Sequence, residues 1–177
     1  MAQARPYRKC AGSVIFNALG KVLAGERYPS GKQPPGMWQF PQGGVESGET
    51  VEQAALRETQ EEFGIPSEQL RIVHSIVEPI KYDFPPDIDT PITRKYCGQA
   101  MFWSLLFWNG SPEECKLDHL DPGHDYPEFS QVAWVDWNFV IEKVSPMKRT
   151  MYVSIFTQLQ PLIEKFVQEK RLSSSNG

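Results

Sequence analysis

Two short apolar runs open the chain, Lys9 to Asn17 (KCAGSVIFN) and Lys21 to Arg27 (KVLAGER), joined at Ala18-Leu19-Gly20, which predicts a β-hairpin. The Pro- and Gly-rich stretch Tyr28 to Gly36 reads as loop. From Thr50 to Phe63 the pattern turns helical, with Val51, Ala54, Ala55 and Phe63 as a partial apolar face, Thr50 near the N-cap and Gly64 at the stop. Leu70 to Val77 and Tyr96 to Trp108 carry the β-branched and aromatic residues of buried strands, with a Pro-rich loop at Phe84 to Pro91 between them. A loop from Asn109 to Pro127 leads to an alternating strand, Gln131 to Trp137. After Ser145-Pro146 a helix is predicted to about Lys170, with Met151, Ile155, Leu159, Ile163 and Phe166 at helical spacing. The order β-β-α-β-β-β-α predicts one α/β domain over residues 1–172, a mixed sheet covered by helices, with residues 173–177 as a flexible tail.

Composition narrows the function classes. A chain of 177 residues with 40% hydrophobic content supports one core rather than two. The net charge of −4 supplies no basic field for DNA, RNA or an anionic membrane, so an anionic substrate must be held by local devices. Three cysteines without CxxC spacing, Cys10, Cys97 and Cys115, predict neither a disulfide framework nor a zinc site. No apolar run reaches the ~18 residues of a membrane span, and the basic start leads directly into a strand, so no presequence and a cytoplasmic protein are expected.

The chemistry concentrates on the first helix. Glu58, Glu61 and Glu62 stand at i, i+3 and i+4, so their carboxylates share one face. A solvated acidic face is the plain explanation of such a cluster. Its surroundings favour another: Gly43-Gly44 follows an apparent strand at Trp38 to Pro41 and permits close backbone approach, and Glu49 at the helix entrance is placed to meet Arg57. Hard oxygen ligands on a rigid element suit Mg²⁺ or Mn²⁺, which would turn an acidic helix into a receptor for phosphates.

Gly43, Glu49 and Arg57-Glu58-Thr59-Gln60-Glu61-Glu62-Phe63-Gly64-Ile65 together resemble the Nudix box, with Thr59 as the one departure where an aliphatic residue is usual. The resemblance implies a Nudix fold, an α/β/α sandwich, and hydrolysis of a nucleoside diphosphate linked to a further group. It implies metal ligation by Gly43, Glu58, Glu61 and Glu62, with one glutamate orienting or deprotonating water, and a structural Glu49–Arg57 pair. Thr59 is expected to change only the packing of the buried side.

Further stretches resemble the branch of asymmetric diadenosine tetraphosphate hydrolases and RNA 5′-pyrophosphohydrolases: Tyr7-Arg8, WQFPQGG from Trp38, YDFPP from Tyr82, GQAMFW from Gly98, PEF from Pro127 and KRTMY from Lys148. That likeness implies Glu128 as an additional ligand or base, so that Glu58, Glu61 and Glu128 are the catalytic candidates. It also implies substrate contacts from Arg8, Arg27, Gln42, Gly43, Tyr82, Phe102 and Lys148. The branch usually has Gln and Lys where Met101 and Phe102 stand; Lys81, Arg94 or Lys95 is then the substitute cation, and Phe102 an aromatic face for a base. The first expectation is cleavage of diadenosine tetraphosphate to ATP and AMP by a monomer binding neither DNA nor membrane. The second is removal of pyrophosphate from triphosphorylated RNA. A non-catalytic nucleotide-binding Nudix module would be expected to have lost a box glutamate, and all three remain; an acidic scaffold would leave Gly43, Glu49, Arg57 and Gly64 without a reason.

Overall fold

In the computed structural model, which describes residues 4–29 and 34–175, the strands form a mixed sheet with a helix on one face and two on the other. Strand β1 (Tyr7–Phe16) pairs with β2 (Val22–Arg27) only at its far end, where Ile15 and Phe16 meet Leu23 and Val22. Its first half pairs instead with β4 (Gln42–Gly44), through Cys10–Gly44, Ala11–Gly43 and Gly12–Gln42. The hairpin is thus splayed, with the glycine pair wedged into the opening and the Ser13 N–H bonded to Pro41 O at 3.0 Å. β2 continues the sheet outward to β3 (Trp38–Gln39) and to β8 (Phe129–Val135). On the other side β1 lies parallel to β7 (Gly98–Phe107), which also pairs with β5 (Arg71–Ser75) and β6 (Ile80–Asp83).

Helix α1 (Val51–Phe63) begins and ends where its sequence dictates. Thr50 and Gln53 form a reciprocal capping box, and Gly64 closes the helix at φ 66°, its N–H bonded to Gln60 O. A side chain at Gly64 would also collide with the Lys116 backbone. Ala54 and Ala55 pack on Ala11 of β1, and Phe63 meets Phe129 edge-on at 5.1 Å between centroids. The small residues bring the polar face of α1 close to the wedge. The opposite face of the sheet is covered by α3 (Trp137–Lys143) and α4 (Pro146–Ser175), with Tyr152 stacked on Phe40 at 5.1 Å and its hydroxyl accepting the Phe40 N–H at 3.0 Å.

The structure differs from the sequence pattern in short elements. The apparent strand at Trp38 to Pro41 is divided into β3 and β4, and β8 ends at Val135, so Trp137 opens a helix. β6 and a one-turn helix α2 (Pro91–Lys95) occupy a stretch that reads as loop and strand start. α4 runs through Ser175, so Ser173 to Ser175 are helical, while Asn176 and Gly177 of the expected tail lie outside the described residues, as do residues 30–33 of the loop after β2.

Thr59 is buried, and its hydroxyl shares a polar triangle with the Ser13 hydroxyl at 2.9 Å and Ala55 O at 2.8 Å, Ser13 also donating to Ala55 O at 3.1 Å. A polar residue thus fills an apolar position because a second hydroxyl across the interface satisfies it. Thr59→Val should cost about 1 kcal/mol in urea unfolding, and less when Ser13 is already alanine. Additive losses in the double-mutant cycle would show that the two hydroxyls are not coupled.

Candidate functional site

Arg57 organises the acidic face of α1. Its Nε and Nη2 donate to the two Glu49 oxygens at 2.6 and 3.0 Å, Nη2 also reaches Gly44 O at 2.8 Å, and Nη1 donates to Glu58 at 2.7 Å and Glu61 at 3.3 Å. The guanidinium, held by Glu49, keeps its proton more firmly than usual, and its hydrogen bonds hold the Glu49 carboxyl below the ordinary range. Loop, wedge and helix are therefore fastened through one planar cation.

Glu58 lies against Gly43, where an added Cβ would stand 2.2 Å from its carboxyl carbon. Desolvation pushes Glu58 up, Glu61 and Asp121 add repulsion, and Arg57 opposes them. Glu62 accepts the Gln42 N–H at 2.9 Å and is raised well above the carboxylate range, first by burial and then by Glu128 and Glu58. Glu128, just before β8, is paired with Arg27 at 2.5 Å, and its carbonyl accepts the Tyr28 N–H at 2.9 Å.

These groups open onto a groove of about 700 Å³ lined by Arg8, Gln42, Gly43, Glu58, Glu61, Glu62 and Glu128, all expected from sequence. Arg27, Tyr82, Phe102 and Lys148 do not line it. Arg27 is turned toward Glu128. Tyr82 is packed against the core and donates its hydroxyl hydrogen to Gln99 Oε1. Phe102 pairs with Ala11 on the α1 side of the sheet and lies beneath Lys9, whose ammonium is 5.4 Å from the ring centroid. Lys9 itself lines the groove. Two of the expected substitutes are engaged elsewhere, Arg94 with Asp89 at 2.7 Å and Lys81 over the Tyr7 ring, whereas Lys95 lies over the ring of Tyr96, which lines the groove. Ile92, Tyr96, Asp121 and His124 also line the groove and carried no local sequence signal. Glu61, His119 and Asp121 bring ligand-type atoms within 4.8 Å of one another.

Lys148, expected to contact substrate, is instead buried in the first turn of α4 and donates to Gln39 Oε1 at 3.2 Å. Burial, then Arg27, lowers its pKa to about 8, with Glu128 and Glu62 opposing. Because the folded value lies below the unfolded one, the unfolded chain binds more protons between them, and stability rises with pH through that window. Lys148→Met should therefore stabilise the metal-free protein by on the order of 3 kcal/mol at pH 7. The gain should shrink as pH climbs from about 8 toward 10.5. Urea unfolding at pH 7 and pH 10 reads this directly; an equal effect at both would contradict it.

A mixed sheet between helices carries an acid-bearing helix locked to a glycine wedge, a set of oxygen donors that fits a divalent cation. Residues 6–153 match the NUDIX domain, and the chain belongs to the Nudix family. Members of that family generally use divalent ions. The fit here rests on half-buried carboxyls held above their ordinary range first by burial and then by one another, and on the space a Cβ at Gly43 would fill.

The chain is similar to an RNA pyrophosphohydrolase of Dinoroseobacter shibae, 39% identical over 154 residues that cover 86% of this chain and 91% of that one. It is also similar to an RNA pyrophosphohydrolase of Agrobacterium fabrum, 36% identical over 169 residues covering 93% and 98%. Among solved structures, a C. elegans Ap4A hydrolase binary complex superposes with a TM-score of 0.58 at 25% identity, covering 86% of this chain and 97% of that one. No helix among the described residues is long and apolar enough to cross a membrane.

Proposed function

We propose that the protein hydrolyses the anhydride between the α- and β-phosphates of 5′-triphosphorylated RNA, leaving a 5′-monophosphate and releasing pyrophosphate. The observation that carries the phosphate chemistry is one groove holding Glu58, Glu61 and Glu62 together with Arg8 and Lys9, acids for cations and bases for phosphate oxygens. The preference for RNA over a dinucleoside polyphosphate is supported by relatives named RNA pyrophosphohydrolase at 36–39% identity over nearly their full length. It reverses the order of the two expectations drawn from sequence.

Glu58, Glu61 and Glu62, beside Gly43, hold Mg²⁺ in this reading, with Mn²⁺ as substitute. When bound, the ion lowers the pKa of a coordinated water and offsets phosphate charge. Glu128 takes the proton of the attacking water, and Arg27 fixes Glu128 on that side of the groove. Arg8 and Lys9 hold phosphate oxygens, while Gln42 positions Glu62 through its N–H. Tyr82 and Lys148 stay outside the groove, bonded to Gln99 and Gln39, and take no direct part in this reading.

Cleavage of diadenosine tetraphosphate remains the second reading, favoured by the similarity to the C. elegans Ap4A hydrolase. Purified protein with Mg²⁺, given triphosphorylated RNA and diadenosine tetraphosphate side by side, decides between them. Pyrophosphate release from RNA is expected to exceed nucleotide release from the dinucleotide at least about tenfold in kcat/KM, a difference of about 1.4 kcal/mol in barrier. The opposite ratio transfers the assignment to the second reading.

A further inference from the structure

We infer that Ile92 and Tyr96 form the seat of the nucleobase next to the cleaved phosphates, with α2 as a purpose-built rim of the groove. This rests on the proposed hydrolase reading and adds to it the part of the substrate that lies beyond the phosphates.

The two residues are four apart across the end of α2, with the Tyr96 N–H bonded to Ile92 O at 2.9 Å, so their side chains share a face. Both line the groove that contains Gly43 and the three α1 glutamates. Neither belongs to any of the apolar clusters that form the core, and Ile92 is 42% exposed. An apolar pair on the wall of a groove otherwise rich in charge has no packing duty to explain it.

Loose placement does not explain it either, because α2 is tightly held. Thr90 and Thr93 cap it reciprocally at 3.2 and 2.9 Å, and the buried Thr93 hydroxyl donates to Ile88 O at 2.7 Å. Arg5 donates to Thr93 O, and the Cys97 N–H bonds Pro6 O at 3.0 Å, tying the segment to the start of β1. The rim therefore presents Ile92 and Tyr96 in a fixed attitude.

The surrounding charge specifies the ligand. Arg8 and Lys9 lie in the same groove, and the Lys95 ammonium sits 5.3 Å from the Tyr96 ring centroid. A flat, weakly polar ring attached to an anionic chain matches an aromatic and aliphatic wall flanked by cations. Tyr82 is unsuited to this duty, since its ring packs with the core and its hydroxyl is committed to Gln99. Every base offers a π-face, so the seat requires a base but discriminates weakly among the four.

The test uses a short triphosphorylated RNA with an ordinary first nucleotide, the same RNA with an abasic first nucleotide, and diadenosine tetraphosphate, each with Mg²⁺. For wild type, removing the base is expected to lower kcat/KM about tenfold, within the range that stacking on one side chain supplies. Tyr96→Ala should raise KM about tenfold on the base-bearing substrate with little change in kcat, and should leave the abasic substrate unaffected. Tyr96→Phe should retain wild-type KM, and Ile92→Ser, at an exposed position, should give a smaller rise, which keeps the test open if Tyr96→Ala folds poorly. Indifference of wild type to base removal, or equal losses on both RNAs in Tyr96→Ala, overturns the inference. If wild type prefers diadenosine tetraphosphate, the RNA assignment fails by itself, and the same KM rise in Tyr96→Ala on that substrate still supports the seat. An unchanged KM there overturns it.

Discussion

Glu62→Gln is expected to cut turnover by two to three orders of magnitude, about 3–4 kcal/mol of barrier, while leaving a folded protein that is more stable than wild type in EDTA at pH 7. Both effects come from one feature. Burial and the neighbouring Glu128 and Glu58 raise the Glu62 carboxyl well above its ordinary range, so the fold carries an electrostatic penalty when this group is ionised. Its folded value lies above the unfolded one, so the native state binds more protons in between and stability falls as pH rises through that window. Glutamine is neutral and keeps an oxygen to accept the Gln42 N–H, so the penalty disappears at pH 7 and the gain vanishes below the unfolded value of about 4.5. Calorimetry in EDTA at pH 4 and pH 7, beside kcat in Mg²⁺, measures both halves. A variant that unfolds, or that keeps wild-type turnover, contradicts the proposed role.

Arg57→Ala is expected to act in the opposite sense, destabilising the metal-free protein by about 3 kcal/mol. The side chain is 22% exposed and is shared among Glu49, Glu58, Glu61 and the Gly44 carbonyl, so its loss leaves like charges facing one another without a cation. Because a divalent ion can offset the same repulsion, Mn²⁺ should raise the denaturation midpoint of the variant more than that of wild type. Equal metal responses in urea unfolding would mean that Arg57 and the ion do not act on the same carboxylates. Arg57→Lys should recover little of the loss, since an ammonium cannot reproduce the two-pronged contact with Glu49.

The part of the site that sequence disclosed is the part that is local. Thr50, Gly64 and the i, i+3, i+4 glutamates fix α1 and its acidic face within one turn-by-turn pattern, and the structure places them accordingly. Lys9 was not legible because its place in the groove depends on β1 pairing parallel to a strand about ninety positions later, and chain pattern does not set that register. The same pairing explains Phe102: alternation along β7 puts it on the α1 side beneath Lys9, while Gln99 and Met101 take the other pleat with Tyr82. Lys148 reads as a surface residue in any local window and is buried only by the docking of α4 on Gln39 and Tyr82. β6, α2 and α3 escape detection because four to seven residues carry too little periodicity, and their neighbours stabilise them.

The splayed hairpin separates two kinds of tolerance. Since β4 is held on β1 by ladder hydrogen bonds and on α1 through Arg57, lengthening or shortening the 41–49 stretch by one residue would shift both at once. The segment around α2 and the 118–126 stretch reach the groove largely from outside that ladder, so exchanging them leaves the reacting centre in register. Ligand preference can therefore diverge by loop replacement in a lineage whose hydrolytic machinery stays unaltered.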